Sequence, residues 1–238
     1  MDTCLDLKDQ TAALADLLER ADPALPVPTC PEWTLADLAA HVGHGQRWAA
    51  ELVRTGTPPP PPEGDVPAEP GPWLRQSARL VAEAVGEDPD AVVWTFLGPR
   101  PARFWSRRMR NDVLVHRADA ALAAGEEFTA PAKAAADALS EGLDLITASV
   151  NGGMSPALAE LRGRGVLKFA ADDVPAVWTV RRTPESLSWS AQDAPADVTV
   201  RGGALDLLLV FSRRASPGRV RVAGDEALLG HWLEHSAF

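Results

Sequence analysis

Cysteine, tyrosine and long apolar runs are scarce or missing in this sequence. The 238 residues include two cysteines, Cys4 and Cys30, and no tyrosine. The cysteines have no CxxC spacing and nothing suggests a disulfide framework, which predicts a reducing cytoplasm. The acidic start, Met1 to Asp6, lacks the pattern of a signal peptide. The longest apolar run, Leu205 to Phe211, is interrupted by Asp206 and is far shorter than the ~20 residues of a membrane span. The sequence therefore predicts a soluble cytoplasmic protein.

An excess of positive charge is also missing. The formal net charge is −10 and the pI is about 5.0. This balance argues against a nucleic-acid partner bound through a broad basic surface, although a local arginine pocket can still hold a small anion. The sequence also has no Ser–His–Asp elbow and no phosphate-binding glycine loop. With 46% hydrophobic residues, it has ample material for a globular core.

Hydrophobic periodicity divides the chain into a helical first part and a mixed second part. Apolar spacing predicts five helices before the turn Asn151-Gly152-Gly153, over 5–21, 35–55, 73–85, 102–124 and 131–150. After the turn, short β-rich segments are predicted at 176–182, 186–190, 196–201 and 219–222, with helices at 205–213 and after Gly224-Asp225. The predicted class is α plus α+β, with domains 1–152 and 153–238.

A proline-rich segment, 56–72, interrupts the helical part and contains five consecutive prolines, Pro58 to Pro62. Such a run is incompatible with helix and favours a polyproline spacer at the surface over a docking peptide. Before it, Thr34 and Asp37 have the spacing of a capping box that would begin the second helix.

Asp112 and His116 are the centre of the functional prediction. Residues four apart on a helix share one face, about 5–6 Å apart at Cβ, as two ligands of one metal ion require. His41, on an earlier amphipathic helix, would complete a set of two imidazoles and one carboxylate, and His44 is a reserve ligand. Facing helices of a bundle commonly build metal sites in this way. The spacing alone favours the alternative, a core histidine at 116 and an Asp112 that only pairs with Arg108.

Other chemistry-bearing residues are better explained by structural roles. His231 and His235 lie on the last helix beside Glu234 and are predicted to be surface residues. Cys30 precedes a helix and is predicted to be a packed residue. Trp48 and Trp105 fit core packing better than a cleft.

Three segments together resemble the mycothiol-dependent maleylpyruvate isomerase family, a branch of the DinB-like metalloenzymes. Cys30-Pro31-Glu32-Trp33-Thr34-Leu35-Ala36-Asp37-Leu38-Ala39-Ala40-His41 resembles the first motif of the family. Asp112 to Asp119 resembles the second, usually Glu-x-x-x-His-Arg-x-Asp. The stretch from Ala196 to Leu229 is similar to the C-terminal domain of the family. The sequence departs from the pattern at Asp112, where the family usually has glutamate.

The resemblance implies a DinB-like four-helix-bundle domain followed by a small sterol-carrier-protein-like α+β domain. It implies a divalent metal, typically zinc, bound by His41, Asp112 and His116. It also implies mycothiol, the actinobacterial thiol, as cosubstrate. Aspartate is one methylene shorter than glutamate, so Asp112 would ligate either directly between closer helices or through water.

The predicted activity is that of a metal-dependent thiol enzyme, an isomerase or S-transferase. The metal would deprotonate a thiol, and the thiolate would add to or displace a group from a small electrophile. Arg214 and Arg201 are predicted to hold a substrate carboxylate, and Arg213 and Arg219 are further candidates for the same role. Arg117 and Asp119 would orient the site or pair on the helix surface. The alternatives are a thiol-independent metalloenzyme of a biosynthetic pathway and a metal-free ligand-binding module. The expected partners are small molecules, with no nucleic acid or membrane, on a monomer or weak homodimer.

Overall fold

The computed structural model describes residues 3–62 and 66–236, and for residues 3–5 it describes the backbone alone. Glu63 to Asp65 of the proline-rich segment and the Cys4 side chain lie outside this description. The chain divides into two compact units, Met1–Phe128 and Thr129–Phe238. No helix among the described residues combines the length and the apolar character that crossing a membrane would require.

The first unit is a four-helix bundle, as the family resemblance implies. In chain order its elements are α1 (Thr3–Arg20), β1 (Pro26–Val27), β2 (Cys30–Thr34), α2 (Leu35–Thr55), α3 (Pro70–Glu87), β3 (Val92–Val93), β4 (Arg100–Pro101) and α4 (Arg103–Ala124). β1 pairs with β2 and β3 with β4, both antiparallel. Helix α1 packs against α3 and α4, and α2 packs against the same two helices. Fully buried side chains between them, such as Leu14, Leu38, Leu74 and Trp105, form the core.

Helix α2 begins at a capping box, which fixes the start of the helix that carries His41. The Thr34 hydroxyl accepts a hydrogen bond from the Asp37 amide at 3.3 Å. The Asp37 carboxylate in turn accepts from the Thr34 amide at 2.8 Å. These reciprocal bonds satisfy two amide groups that the first helical turn would otherwise leave without partners. The capping box predicted from the sequence is therefore present.

We expect Thr34→Ala to lower the free energy of unfolding by about 1 kcal/mol, because alanine cannot cap the α2 amides. Chemical denaturation followed by circular dichroism would measure the change. Thr55→Ala, which removes a threonine hydroxyl bonded to the Glu51 carbonyl near the other end of the same helix, is the matched control. An equal loss in both variants would contradict a specific capping role.

The polyproline run lies outside the helices, and one of its residues contacts the bundle. Pro58 to Pro62 have no regular secondary structure. The Trp48 indole nitrogen donates to the Pro59 carbonyl oxygen at 2.9 Å. Pro59 is half-buried while the other four prolines are exposed, so the run crosses the surface of the first unit as a spacer held at one residue.

The second unit is α+β and is built around one five-stranded sheet. Its elements are α5 (Ala132–Gly152), β5 (Gly165–Ala171), β6 (Val177–Arg182), β7 (Leu187–Ser190), β8 (Val198–Gly202), α6 (Ala204–Phe211), β9 (Arg221–Gly224) and α7 (Glu226–His235). The strand order is β7-β6-β5-β8-β9. Only the β5–β8 pair is parallel. Phe169 of β5, Phe211 of α6 and Trp232 of α7 are buried together in its core.

The predicted domain boundary after residue 152 differs from the observed division at Phe128, because α5 packs in the second unit. The Trp178 indole of β6 donates to Ser140 Oγ at 2.8 Å. The Trp189 indole of β7 donates to Asp144 Oδ1 at 3.0 Å. A change of periodicity marks where strands begin, and it does not show which unit the preceding helix joins.

The sequence prediction also omitted β5, the central strand of the sheet. Lys168 interrupts the apolar run of this strand, and glycines precede it. In the structure the Lys168 ammonium reaches Asp193 at 2.7 Å, while Leu167 and Phe169 on either side are fully buried. Short apolar runs do not distinguish a strand from a helix by periodicity alone.

Candidate metal centre

Helices α2 and α4 bring the three predicted ligands together. His41 comes from α2, and Asp112 and His116 come from one face of α4. Each of the three offers a donor atom, and these atoms all lie within 4.8 Å of one another. The four-residue spacing on α4 and the packing of α2 against α4 therefore place two imidazoles and one carboxylate around a common point.

His116 is held in a defined orientation by the buried carboxylate of Asp119. The distance from His116 Nδ1 to Asp119 Oδ2 is 2.9 Å, and Asp119 is fully buried. A carboxylate accepts hydrogen bonds, so this contact favours the tautomer with its proton on Nδ1. Nε2 then carries the lone pair, and it lies 3.9 Å from Asp112 Oδ2. This orientation is the one that a metal-binding imidazole needs.

Asp112 uses its two oxygens in different directions. Oδ1 accepts a hydrogen bond from Arg108 Nη2 at 2.6 Å, and both side chains are largely buried, at 19% and 16% exposure for Arg108 and Asp112. Oδ2 is the oxygen nearer to His116. The Arg108 pair and the approach to the imidazole therefore coexist, although the sequence presented them as alternatives. The pair also fixes the direction of the carboxylate.

His41 completes the cluster from the solvent side. Its residue surface is exposed, but its ring contacts Trp33, with centroids 4.9 Å apart, and meets the His116 ring edge-on, also at 4.9 Å. The removal of water by these neighbours lowers the pKa of His41 from its usual 6.5, and the positive charge that His116 can carry lowers it further. A neutral imidazole, the form that binds a metal, is thus favoured at position 41.

The donor set fits a divalent transition metal. Imidazole nitrogen and carboxylate oxygen are both ordinary zinc ligands at about 2.0–2.2 Å, so tetrahedral ligands lie roughly 3.4 Å apart. The 3.9 Å between His116 Nε2 and Asp112 Oδ2 is only slightly longer than this. Three protein ligands would leave one position for water or substrate, as catalytic sites of this type do.

The remaining histidines lie elsewhere. His44 contacts the Trp73 ring of α3, with centroids 5.2 Å apart, and is absent from the three-residue cluster found among the described residues. His231 Nε2 bonds the Glu160 carbonyl at 2.8 Å, and His235 stacks on His231. These contacts give all three a structural role.

The predicted packing roles of three further residues also agree with the structure. Cys30 is a half-buried free thiol in β2. Trp105 is 1% exposed and donates to the Trp94 carbonyl at 3.0 Å. Trp48 is half-buried, and its ring lies 5.4 Å from that of Trp105. Trp105 belongs to the hydrophobic core of the first unit, and Cys30 and Trp48 pack against that core.

The predicted arginines of the second unit occupy different settings. Arg201 in β8 is about half exposed and reaches Asp172 at 3.1 Å. Arg214 follows the turn after α6 and donates to the Ser212 carbonyl at 2.8 Å. In the first unit, Arg117 on α4 bonds Gln10 of α1 and lies over the Phe128 ring. Arg117 therefore links α4 to α1. Asp119, two residues further along the same motif, contacts His116.

Two residues of the β1–β2 hairpin contact the centre and were not predicted as part of it. Trp33 covers the His41 ring and lies 6.5 Å from the His116 ring. The Thr29 hydroxyl donates to Asp119 Oδ1 at 2.5 Å. In the sequence Trp33 stands out only as part of the first family motif. The sequence held no signal for Thr29, which lies 90 residues from its partner.

A four-helix bundle with a His–Asp–His cluster between two helices defines a class of helical-bundle proteins with a candidate metal centre. Residues 4–121 match the family model described as the mycothiol maleylpyruvate isomerase N-terminal domain. Residues 4–121 therefore belong to the mycothiol maleylpyruvate isomerase N-terminal domain family.

Solved structures and curated sequences add two further comparisons. The crystal structure of the mycothiol-dependent maleylpyruvate isomerase aligns with this chain at a TM-score of 0.54 and 17% identity. The alignment covers 93% of this chain and 92% of the isomerase chain. A mutant of that isomerase matches with a TM-score of 0.55 and the same identity. At this identity the likeness shows a shared fold.

The curated relatives are two uncharacterized proteins, each from a strain of Mycobacterium tuberculosis. Both are 36% identical to this chain over 104 residues, which cover 41% of this chain and 52% of each relative. The chain thus spans about half the length of the curated relatives it matches.

Proposed function

We propose that the protein is a metal-dependent thiol enzyme. His41, Asp112 and His116 would bind a divalent metal, zinc being the preferred ion for this donor set. The thiol would be mycothiol, and the reaction an isomerisation or S-transfer on a small electrophile. The observation that carries the proposal is the approach of these three donor groups to within 4.8 Å of one another, in a chain of this family.

The residues of the chain would each have a distinct task. When bound, the metal would lower the pKa of a coordinating thiol, which supplies a strong nucleophile at neutral pH. Asp119 holds the Nδ1 side of His116, so that Nε2 points to the centre. Arg108 holds Asp112 in the direction of the imidazoles. Trp33, which lies against the His41 ring, would exclude water from one side of it.

Arg214 and Arg201 of the second unit are the proposed carboxylate holders. A guanidinium can bind a carboxylate through two parallel hydrogen bonds. With a carboxylate substrate, Arg214→Met or Arg201→Met is expected to raise KM by at least about tenfold with a smaller change in kcat, since such a contact is worth about 1.5–3 kcal/mol. Steady-state kinetics would measure this, with Arg221→Met, which removes the other partner of Asp172, as control. Unchanged KM in both test variants would remove the arginines from the proposal.

The function is tested with untagged protein, stripped of metal and reconstituted. We expect about one equivalent of zinc, and turnover of unsaturated electrophiles such as maleylpyruvate only when both zinc and mycothiol are present. Turnover with zinc but without the thiol would instead establish a thiol-independent metalloenzyme.

The second candidate is a metal-free ligand-binding module on the same scaffold. The Arg108–Asp112 pair supports this reading, because a 2.6 Å contact to a cation already partly balances the charge that a metal would balance. Fully folded protein that does not take up added zinc would favour this module over the enzyme.

A further inference from the structure

The turn of the β1–β2 hairpin places a side chain against Asp119, the residue that contacts His116 on the side away from Asp112. Val27 pairs with Cys30, so Pro28 and Thr29 form a two-residue turn. From this turn the Thr29 hydroxyl reaches α4 and donates to Asp119 Oδ1 at 2.5 Å. Thr29 is half-buried and Asp119 is fully buried. The bond therefore lies where water competes little for either partner.

The same carboxylate connects this hydroxyl to a ligand of the centre. Asp119 accepts the Thr29 proton at Oδ1 and contacts His116 Nδ1 with Oδ2 at 2.9 Å. His116 Nε2, on the opposite side of the ring, faces Asp112. Two hydrogen bonds in series thus connect the hairpin turn to the imidazole that would bind the metal.

We propose that Thr29 is a positioning residue of the metal centre, acting on His116 through Asp119. The χ2 angle of an aspartate is a soft torsion, so each hydrogen bond to the carboxylate narrows its rotation. The bond from the Thr29 hydroxyl to Oδ1 helps to hold the carboxylate plane, and the carboxylate in turn orients the imidazole. The metal-affinity part of this inference rests on the proposed function, whereas the orientation of His116 can be tested without metal.

A second residue of the hairpin, Trp33, also contacts the metal centre, so the inference extends to the hairpin as a whole. Trp33 in β2 contacts the His41 ring at 4.9 Å and the His116 ring at 6.5 Å. The hairpin, from Pro26 to Thr34, therefore contacts His41 directly and reaches His116 both directly and through Asp119. The hairpin is thus the third element that contacts the centre, after α2 and α4, which carry the candidate ligands.

The test compares Thr29→Val with Thr29→Ser. Valine keeps the shape of threonine and removes the hydroxyl, whereas serine keeps the hydroxyl. Losing a partner of a ligating histidine typically lowers metal affinity by about 10–100-fold. Thr29 lies one hydrogen bond further from the metal than the direct partner of His116. We therefore expect Thr29→Val to weaken zinc binding by about tenfold in a chelator competition. Thr29→Ser should remain within about twofold of wild type, since it retains the donor.

Controls separate positioning from general stability. Thr55→Val removes a threonine hydroxyl that bonds the Glu51 carbonyl away from the centre, and it should leave zinc affinity unchanged. In metal-free protein, nitrogen-15 NMR of His116 should show the Nδ1-protonated tautomer in wild type and in Thr29→Ser, and a tautomer mixture in Thr29→Val. If Thr29→Val does not fold, Thr29→Ala provides the same comparison.

The outcomes of the two proposals are distinguishable. Wild type that binds no zinc contradicts the proposed function, and the tautomer measurement then decides the inference alone. Wild type that binds zinc, with Thr29→Val unchanged in affinity and tautomer, overturns the role of Thr29 and leaves the proposed function intact. Weaker zinc binding in Thr55→Val to the same degree would likewise overturn a specific role.

Discussion

Replacement of His116 by alanine is expected to weaken zinc binding by at least about 100-fold. The loss of a hydrogen-bond partner behind a ligand costs roughly 10–100-fold, and the loss of the ligand itself should exceed that. Two donor groups from different helices, His41 and Asp112, would remain. Zinc competition against a chromophoric chelator and the metal content after purification measure the effect. Thiol-dependent turnover should disappear in parallel.

His44→Ala is the matched control for this variant. His44 lies on the same helix as His41, three residues further on, but its ring contacts Trp73. A centre formed by His41, Asp112 and His116 predicts normal zinc binding by this variant. Equal losses in the two alanine variants would show that the zinc lies elsewhere or is bound without specific ligands, and the proposed centre would be wrong.

Asp112→Asn is expected to weaken zinc binding by about 100-fold without unfolding the protein. The amide keeps an oxygen that can accept from Arg108, so the contact at 2.6 Å can be retained. It removes the negative charge, and with it a ligand type that zinc prefers. The substitution therefore isolates ligation from the Arg108 pair. Asp112→Glu, which restores the residue usual in the family motif, is expected to stay within about tenfold of wild type.

Unchanged zinc affinity in Asp112→Asn would contradict the assignment of Asp112 as a ligand. Its role would then be limited to pairing with Arg108, and the metal would require another third ligand. Thermal unfolding of both variants provides the control, since a large drop in Tm would mean that the substitution had disturbed α4 itself.

The proximity of the three candidate ligands was only partly predictable from residue spacing. The i, i+4 spacing of Asp112 and His116 places both on one helix face whenever α4 forms. The position of His41 next to them depends on the packing of α2 against α4, and residue spacing carries no information about that packing. The family motifs supplied that information. The helices followed from apolar spacing and from the Thr34–Asp37 capping box, and the four-helix bundle followed from the family resemblance.

The parts that escaped prediction depend on contacts between distant residues. The Thr29–Asp119 bond joins residues 90 positions apart, and no local pattern marks a two-residue turn as part of a metal centre. Strand β5 was missed because Lys168 breaks its apolar run, although Lys168 pairs with Asp193. The division of the chain at Phe128 rather than after 152 reflects the packing of α5 against β6 and β7, which only the assembled sheet reveals.

The most direct test of the account is X-ray absorption at the zinc edge, recorded on reconstituted protein before and after mycothiol is added. Cys30→Ser protein serves as the control for the chain's own thiol. We predict nitrogen and oxygen neighbours at about 2.0–2.1 Å beforehand, and one added sulfur neighbour at about 2.3 Å afterwards. Zinc that gains no sulfur neighbour when mycothiol is present, or protein that takes up no zinc, would contradict thiol activation at this centre.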